Sequence, residues 1–155
     1  MKLFLMRHAQ ASPLYGGYTD ENRPLTPEGQ DQAFQMAGEL KRRQVTLDAI
    51  VSSPFVRAHQ TARIVAESLG TQRLELSALL ASRGARPPIE PFLEKFSAEA
   101  SLLFVGHQPD MGMLAAALCG ASVPFSVATI AAFEWNPPDD AQLLWTLAPA
   151  DLPAG

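Results

Sequence analysis

Four residues carry the strongest chemical signal in the sequence: Arg7, His8, Arg57 and His107. Each stands shortly after an apolar run. Arg7-His8 follows residues 2–6, Ser52, Ser53 and Arg57 follow Ala49-Ile50-Val51, and Gly106-His107 follows Leu102-Leu103-Phe104-Val105. In open α/β sheets ligands bind beyond the carboxyl ends of the strands, so parallel strands would deliver all four side chains to one edge. Arg57 lies 49 positions after His8 and 50 before His107, and only the fold can unite them. Two guanidinium groups offer planar, permanently charged forks to the oxygens of a phosphoryl group. Arg57 would stand in the first turn of a helix, where free N–H groups and the dipole also favour an anion. A neutral imidazole has a lone pair for attack near pH 7, and a second, protonated imidazole can hold an equatorial oxygen as charge shifts. The set reads as phosphoryl transfer through a phosphohistidine intermediate, with no metal or other cofactor.

Any one of these residues has a plainer reading. A histidine after a strand is usually a cap or a core residue, and a lone arginine usually sits in a surface ion pair. The repeated placement at strand ends carries the joint reading. His59 lacks that placement, lying roughly 200° around a helix from Arg57, and reads as structural or solvent-facing.

The elements that must position the four follow from local pattern. Residues 2–6, 49–51 and 102–105 read as short buried strands. Residues 12–26, with Ser12, Pro13, Gly16, Gly17 and Pro24, read as a loop. Thr26-Pro27-Glu28 opens a helix whose inner face is Ala33, Met36, Ala37 and Leu40. Ser53-Pro54 predicts a second helix by the same cap-then-proline logic, with Ala58, Thr61, Ala62, Val65 and Leu69 inward and Gly70 as its stop. Residues 73–76 suit an edge strand, 77–91 are irregular, and a short helix fits around 90–98. Pro109 begins another helix, ended by Gly120. Strands near 128–135 and 142–148 are joined at Pro137-Pro138-Asp139-Asp140 as a hairpin. Strand and helix alternate through most of the chain, which predicts an α/β sandwich with a mostly parallel sheet and one antiparallel strand, in a single domain over 1–155. The Pro-rich end, Pro149 to Gly155, reads equally as interaction surface or as a frayed terminus.

Composition narrows the function. Twelve Lys and Arg against 16 Asp and Glu give a net charge of −4, which argues against general nucleic-acid binding and against anionic membrane surfaces. The apolar start is too short for a secretory signal core and no run reaches a membrane span, so the expected location is cytoplasmic. A single cysteine, Cys119, excludes an intrachain disulfide framework and a Cys-rich zinc site. Other phosphatase chemistries fail on residues. Cys119 has no Cys-x5-Arg loop, there is no Asp-x-Asp, and neither a phosphate-binding Gly-x4-Gly-Lys-Ser/Thr nor a Gly-x-Ser-x-Gly elbow occurs.

The motifs together resemble those of the histidine phosphatase superfamily, the phosphoglycerate-mutase-like group. Leu5-Met6-Arg7-His8-Ala9 is similar to its Arg-His-Gly signature. Arg23-Pro24-Leu25-Thr26-Pro27-Glu28-Gly29 with Gln32-Ala33, then Ser52-Ser53-Pro54 through Arg57-Ala58-His59-Gln60-Thr61-Ala62, then Val105-Gly106-His107 continue the resemblance in order. The short chain, Arg7-His8-Ala9-Gln10-Ala11 and Gly106-His107-Gln108-Pro109 look like the SixA-type branch of small phosphohistidine phosphatases. The resemblance implies a three-layer α/β/α sandwich, His8 as nucleophile, and Arg7, Arg57 and His107 as the phosphate pocket, with His107 stabilising the transition state.

Two departures bear on the substrate. The signature glycine is Ala9, a small change. The carboxylic acid that larger relatives place in the middle segment, or just after the second histidine, is missing: Ala78-Leu79-Leu80-Ala81-Ser82-Arg83 has no carboxylate and Gln108 follows His107. Asp110 and Glu75 are the nearest candidates, and neither matches the motif position. An alkoxide leaving group needs a proton donor, whereas the imidazole of a phosphohistidine leaves more readily. The expected substrate is therefore a phosphohistidine-bearing protein, such as a phosphotransfer domain. A broad small-molecule phosphomonoesterase and a phosphate-dependent binding module without turnover are the alternatives.

Overall fold

Strand β1 (Lys2–Arg7) shows why the chain forms layers. Its four central residues are buried, so it must be covered on both faces. Leu3 and Leu5 enter one apolar cluster and Phe4 and Met6 enter another, as the period of two in a strand requires. The computed structural model of the chain describes residues 1–153.

Six strands form one sheet: β1, β2 (Ala49–Ser52), β3 (Leu74–Leu76), β4 (Ser101–Gly106), β5 (Ile130–Glu134) and β6 (Gln142–Leu147). Their order across the sheet is β3-β2-β4-β1-β5-β6. β3, β2, β4 and β1 run parallel, and β5 runs against both of its neighbours, so it is the one antiparallel strand. Helices α1 (Pro27–Arg42) and α2 (Val56–Leu69) cover one face, through Met36, Leu40, Ala62 and Val65. The one-turn α3 (Glu90–Leu93) and α4 (Asp110–Cys119) cover the other, through Phe92, Leu114 and Leu118. The three layers and the closing hairpin match the reading from sequence.

Three local details differ from it. Helix α2 starts at Val56 with Phe55 as its cap, and no side chain caps it. The Ser53 hydroxyl, expected to cap the helix, instead accepts from the Phe55 amide at 3.2 Å and meets a histidine described below. The helix expected over 90–98 is a single turn. The Pro-rich end closes as a turn at Pro149–Asp151, with Leu152 packed against the α1–α2 face; Ala154 and Gly155 lie outside the described residues.

Helix α1 starts as its sequence dictates. The Thr26 hydroxyl accepts from the Gly29 amide at 2.9 Å and Pro27 fills the first turn. Among the described residues, no helix is long and apolar enough to cross a membrane.

Candidate active site

Register places the chemistry. Arg7 ends β1 opposite Gly106, which ends β4, and Ser52 ends β2 opposite Val105. The next residue of each strand continues the ladder: the His8 amide donates to Gly106 O at 3.0 Å, and the Ser53 amide to Val105 O at 3.0 Å. His8, Ser53 and His107 therefore leave the sheet side by side. Arg57 joins them from the first turn of α2. Its Nε donates to His8 Nε2 at 3.3 Å, and the rings of His8 and His107 stand 5.2 Å apart. All four residues singled out by sequence line one cavity of about 310 Å³.

The tautomer of His8 follows from its neighbours. Its Nδ1 lies 2.7 Å from Ala9 O, and a carbonyl only accepts, so Nδ1 carries the proton. Nε2 keeps the lone pair, and the Arg57 Nε–H points at it. Burial, then the repulsion that a second proton would meet from His107, Arg57 and Arg7 nearby, pushes the His8 pKa down to about 3, against the one favourable contact to Ala9 O. The ring is neutral at physiological pH, as a nucleophile must be.

His107 differs from expectation. Sequence reasoning has it protonated, but burial and the charge of Arg57 push its pKa down to about 4, so the ring as it stands is uncharged at pH 7. Its Nε2 meets the Ser53 hydroxyl at 2.8 Å, while its buried Nδ1 has no partner among the described residues. The buried Arg7 Nε is likewise unpartnered, and Arg7 Nη1 donates to Phe125 O at 3.1 Å.

The remaining motif residues turn out to be braces. Gly29 sits so close to the nucleophile loop that a Cβ there would fall 2.0 Å from the Gln10 carbonyl oxygen. The Gln10 amide donates to Gln32 Oε1 at 3.0 Å, and the Thr26 amide donates to Gln10 O at 3.1 Å. From α2, Thr61 Oγ1 accepts from the Ala9 amide at 3.1 Å and Gln60 Oε1 accepts from the Leu25 amide at 2.7 Å. The Pro-Leu-Thr-x-x-Gly and Gln-Thr segments thus clamp residues 8–10 between two helices. Ala9 is fully buried, so the extra methyl in place of the signature glycine fills core space.

Of the two carboxylates nearest in sequence, Glu75 lies away from the pocket, paired with Arg73 and Lys95 on β3. Asp110 lies in the wall of an adjoining cavity of about 240 Å³, but it is only 1% exposed. Its Oδ2 and Oδ1 accept from the Arg83 and Gly84 amides at 3.1 and 2.7 Å, so it holds the 83–84 turn. Among the described residues, no group of three or more His, Cys, Asp or Glu is placed to hold a metal ion.

Sequence reasoning missed Asp20, Arg23 and Phe55. Asp20 and Arg23 lie in the segment that read only as loop. Asp20 O accepts from Arg57 Nη1 at 2.6 Å, and Asp20 Oδ1 lies 3.6 Å from Arg57 Nη2. Arg23 donates to Asp20 Oδ1 through Nε and Nη2, at 3.2 and 3.1 Å. The Phe55 ring packs 5.0 Å from His107, with the guanidinium groups of Arg57 and Arg83 over it at 5.1 and 5.2 Å. The signal for Ser53 was present in its place after β2; nothing local marked the others.

A histidine flanked by cationic side chains at the carboxyl edge of a mostly parallel sheet is the arrangement of a recognised class. Residues 3–84 match the model of the histidine phosphatase superfamily (branch 1), just over half the chain, and the chain belongs to that family. Among its relatives is the phosphohistidine phosphatase SixA of Escherichia coli, 31% identical over 157 aligned positions that cover 98% of this chain and 96% of that one. A SixA homolog of Haemophilus influenzae is 32% identical, covering 88% of this chain and 89% of its own. Among solved structures, the protein histidine phosphatase SixA complexed with tungstate superposes with a TM-score of 0.85 at 30% identity, over 97% of this chain and 99% of that one.

Proposed function

We propose that this chain is a phosphohistidine phosphatase, removing the phosphoryl group from a phosphorylated histidine on a protein through a covalent intermediate on His8. The observation that carries the reading is the hydrogen bond from His8 Nδ1 to Ala9 O, which leaves an unprotonated Nε2 beside the Arg57 guanidinium in a pocket of cationic side chains.

The phosphorus is attacked by His8 Nε2 in line with the departing nitrogen. The equatorial oxygens lie among Arg7, Arg57 and His107, where fixed charge in a dry site is most effective. The dianion reverses the balance that keeps His107 neutral and draws a proton onto it. His8 becomes phosphorylated at Nε2 while Nδ1 keeps its proton and its bond to Ala9. Water then attacks the phosphorus, the P–N bond breaks, its electron pair returns to Nε2, and dihydrogen phosphate leaves.

The absence of a free acid supports a P–N substrate. Both Asp110 oxygens are engaged with backbone N–H groups, and Asp20, held low by Arg57 and Arg23, is ionised at neutral pH. The names of the relatives point the same way, to phosphohistidine on a protein. On the reading from sequence, the partner is a phosphotransfer domain and the compartment the cytoplasm. The test compares kcat/KM on a phosphohistidine protein with that on sugar phosphates and phosphoserine. The expected result is clear preference for the protein. Turnover of phosphomonoesters without turnover of the protein would give the small-molecule alternative. Tight binding of the phosphoprotein with no turnover would give the binding-module alternative.

A further inference from the structure

We infer that Asp20 is a specificity-determining residue: its carboxylate receives the ring N–H of the departing imidazole and so selects P–N over P–O substrates. The inference rests on the phosphohistidine reading above and deepens it.

The guanidinium of Arg57 spans the distance between nucleophile and carboxylate. Its Nε faces His8 Nε2 at 3.3 Å, and its Nη1 and Nη2 face Asp20. A phosphoryl group lying along Arg57 has His8 at one end. In-line displacement puts the leaving atom at the opposite end, which is the Asp20 end. There the adjoining cavity of about 240 Å³ opens, lined by Asp20, Phe55, Arg57 and His107 and sharing Arg57 and His107 with the phosphoryl pocket. It is where the substrate's ring would sit. Asp110 also lines it, but both of its oxygens accept backbone N–H groups, whereas Asp20 is engaged only through Oδ1 and can accept there through Oδ2. Asp20 Oδ1 already accepts twice from Arg23 and lies 3.6 Å from Arg57 Nη2, whereas Oδ2 has no hydrogen-bond partner among the described residues and keeps its acceptor capacity.

The chemistry balances without an added acid. A phosphohistidine protonated on its second ring nitrogen carries positive charge on the ring. When the P–N bond breaks, the electron pair goes to the leaving nitrogen and the ring departs as neutral imidazole, keeping its N–H. A carboxylate accepting from that N–H favours the protonated, reactive ring. The same negative charge opposes the alkoxide or phenolate that leaves a phosphomonoester. The other charges facing Asp20 are Arg57 from α2, Arg23 and Glu21 from its own segment, and Arg83 from the loop that follows β3. The arginines hold Asp20 ionised and do not titrate in the working range.

The experiment measures kcat/KM for phosphoimidazole and for p-nitrophenyl phosphate with the full chain and with Asp20→Asn, which retains an acceptor oxygen and the backbone carbonyl that Arg57 uses. A charge-assisted hydrogen bond supports a fall of about 10- to 100-fold in the ratio of the two values, N-phosphoryl over O-phosphoryl. With phosphoimidazole, the basic limb of the pH profile should move to lower pH in Asp20→Asn, and Asp20→Glu should restore part of both effects. An equal loss on both substrates with an unmoved pH profile would mean that Asp20 only positions Arg57, and would overturn the inference. A wild-type chain that cleaves p-nitrophenyl phosphate but neither phosphoimidazole nor phosphohistidine protein would overturn the phosphohistidine reading itself, and this role with it.

Discussion

Arg7, His8, Arg57 and His107 form the floor of the pocket, on strand ends and on the first turn of α2, where register, packing and backbone hydrogen bonds leave little freedom. Asp20, Glu21 and Arg83 form the rim, the first two on a single 3-10 turn (Asp20–Asn22) and Arg83 on a loop, joined by side-chain contacts such as Arg83–Glu21, both of which are exposed. His8 and Arg57 are 8% and 6% exposed on the floor, whereas Glu21 and Arg83 on the rim are exposed. The difference teaches a division of labour. Charge stabilisation needs preorganised, dry groups. Accepting a phosphorylated side chain from a second protein needs an edge that meets solvent and adjusts at low cost.

The comparison breaks first at Arg57. Arg57→Ala should lower kcat/KM on the phosphohistidine protein by about 10²–10³, and a near-wild-type rate would separate the floor from catalysis. Gly29→Ala tests the brace beneath it. A methyl 2.0 Å from the Gln10 carbonyl oxygen cannot be accommodated by a side-chain shift. A loss of about 3 kcal/mol in a urea melt is expected, together with lower activity as the segment after His8 is displaced.

The two buried imidazoles link the floor to pH. Both have folded pKa values below the ordinary 6.5, so between the two limits the unfolded chain binds the protons first. The stability they confer is complete above 6.5 and drains away as pH falls toward about 4 for His107 and about 3 for His8. Urea melts at pH 7 and pH 4.5 should show a loss that shrinks by about 2 kcal/mol or more in the double variant His8→Asn with His107→Asn. The smallest effect belongs to the rim. Glu21→Gln removes a solvent-screened partner of Arg83 and should leave the melting temperature unchanged. A clear drop would mean the rim is as firmly built as the floor.

The same division explains what could be read from residues alone. The floor was legible because its signals are local: an apolar run, then a charged or ring side chain, three times over. The Thr26-Pro27-Glu28 start of α1 was legible for the same reason. The start of α2 was not, because Ser53-Pro54 imitates a cap while the Ser53 hydroxyl is drawn to His107 by the tertiary structure. Asp20 was illegible because its meaning lies in a contact with Arg57, 37 positions away, made through a loop with no periodicity. The neutral resting state of His107 was not legible because burial, which composition does not report, outweighs the intrinsic basicity of the ring.

The central claim is that His8 Nε2 carries the phosphoryl group. Rapid-quench trapping with ³²P-labelled phosphohistidine protein tests it directly. Label that appears on His8, labile in acid and stable in base, and is absent from His8→Ala, is the predicted result. Sustained turnover by His8→Ala at the wild-type rate, with no labelled enzyme at any time, would contradict it.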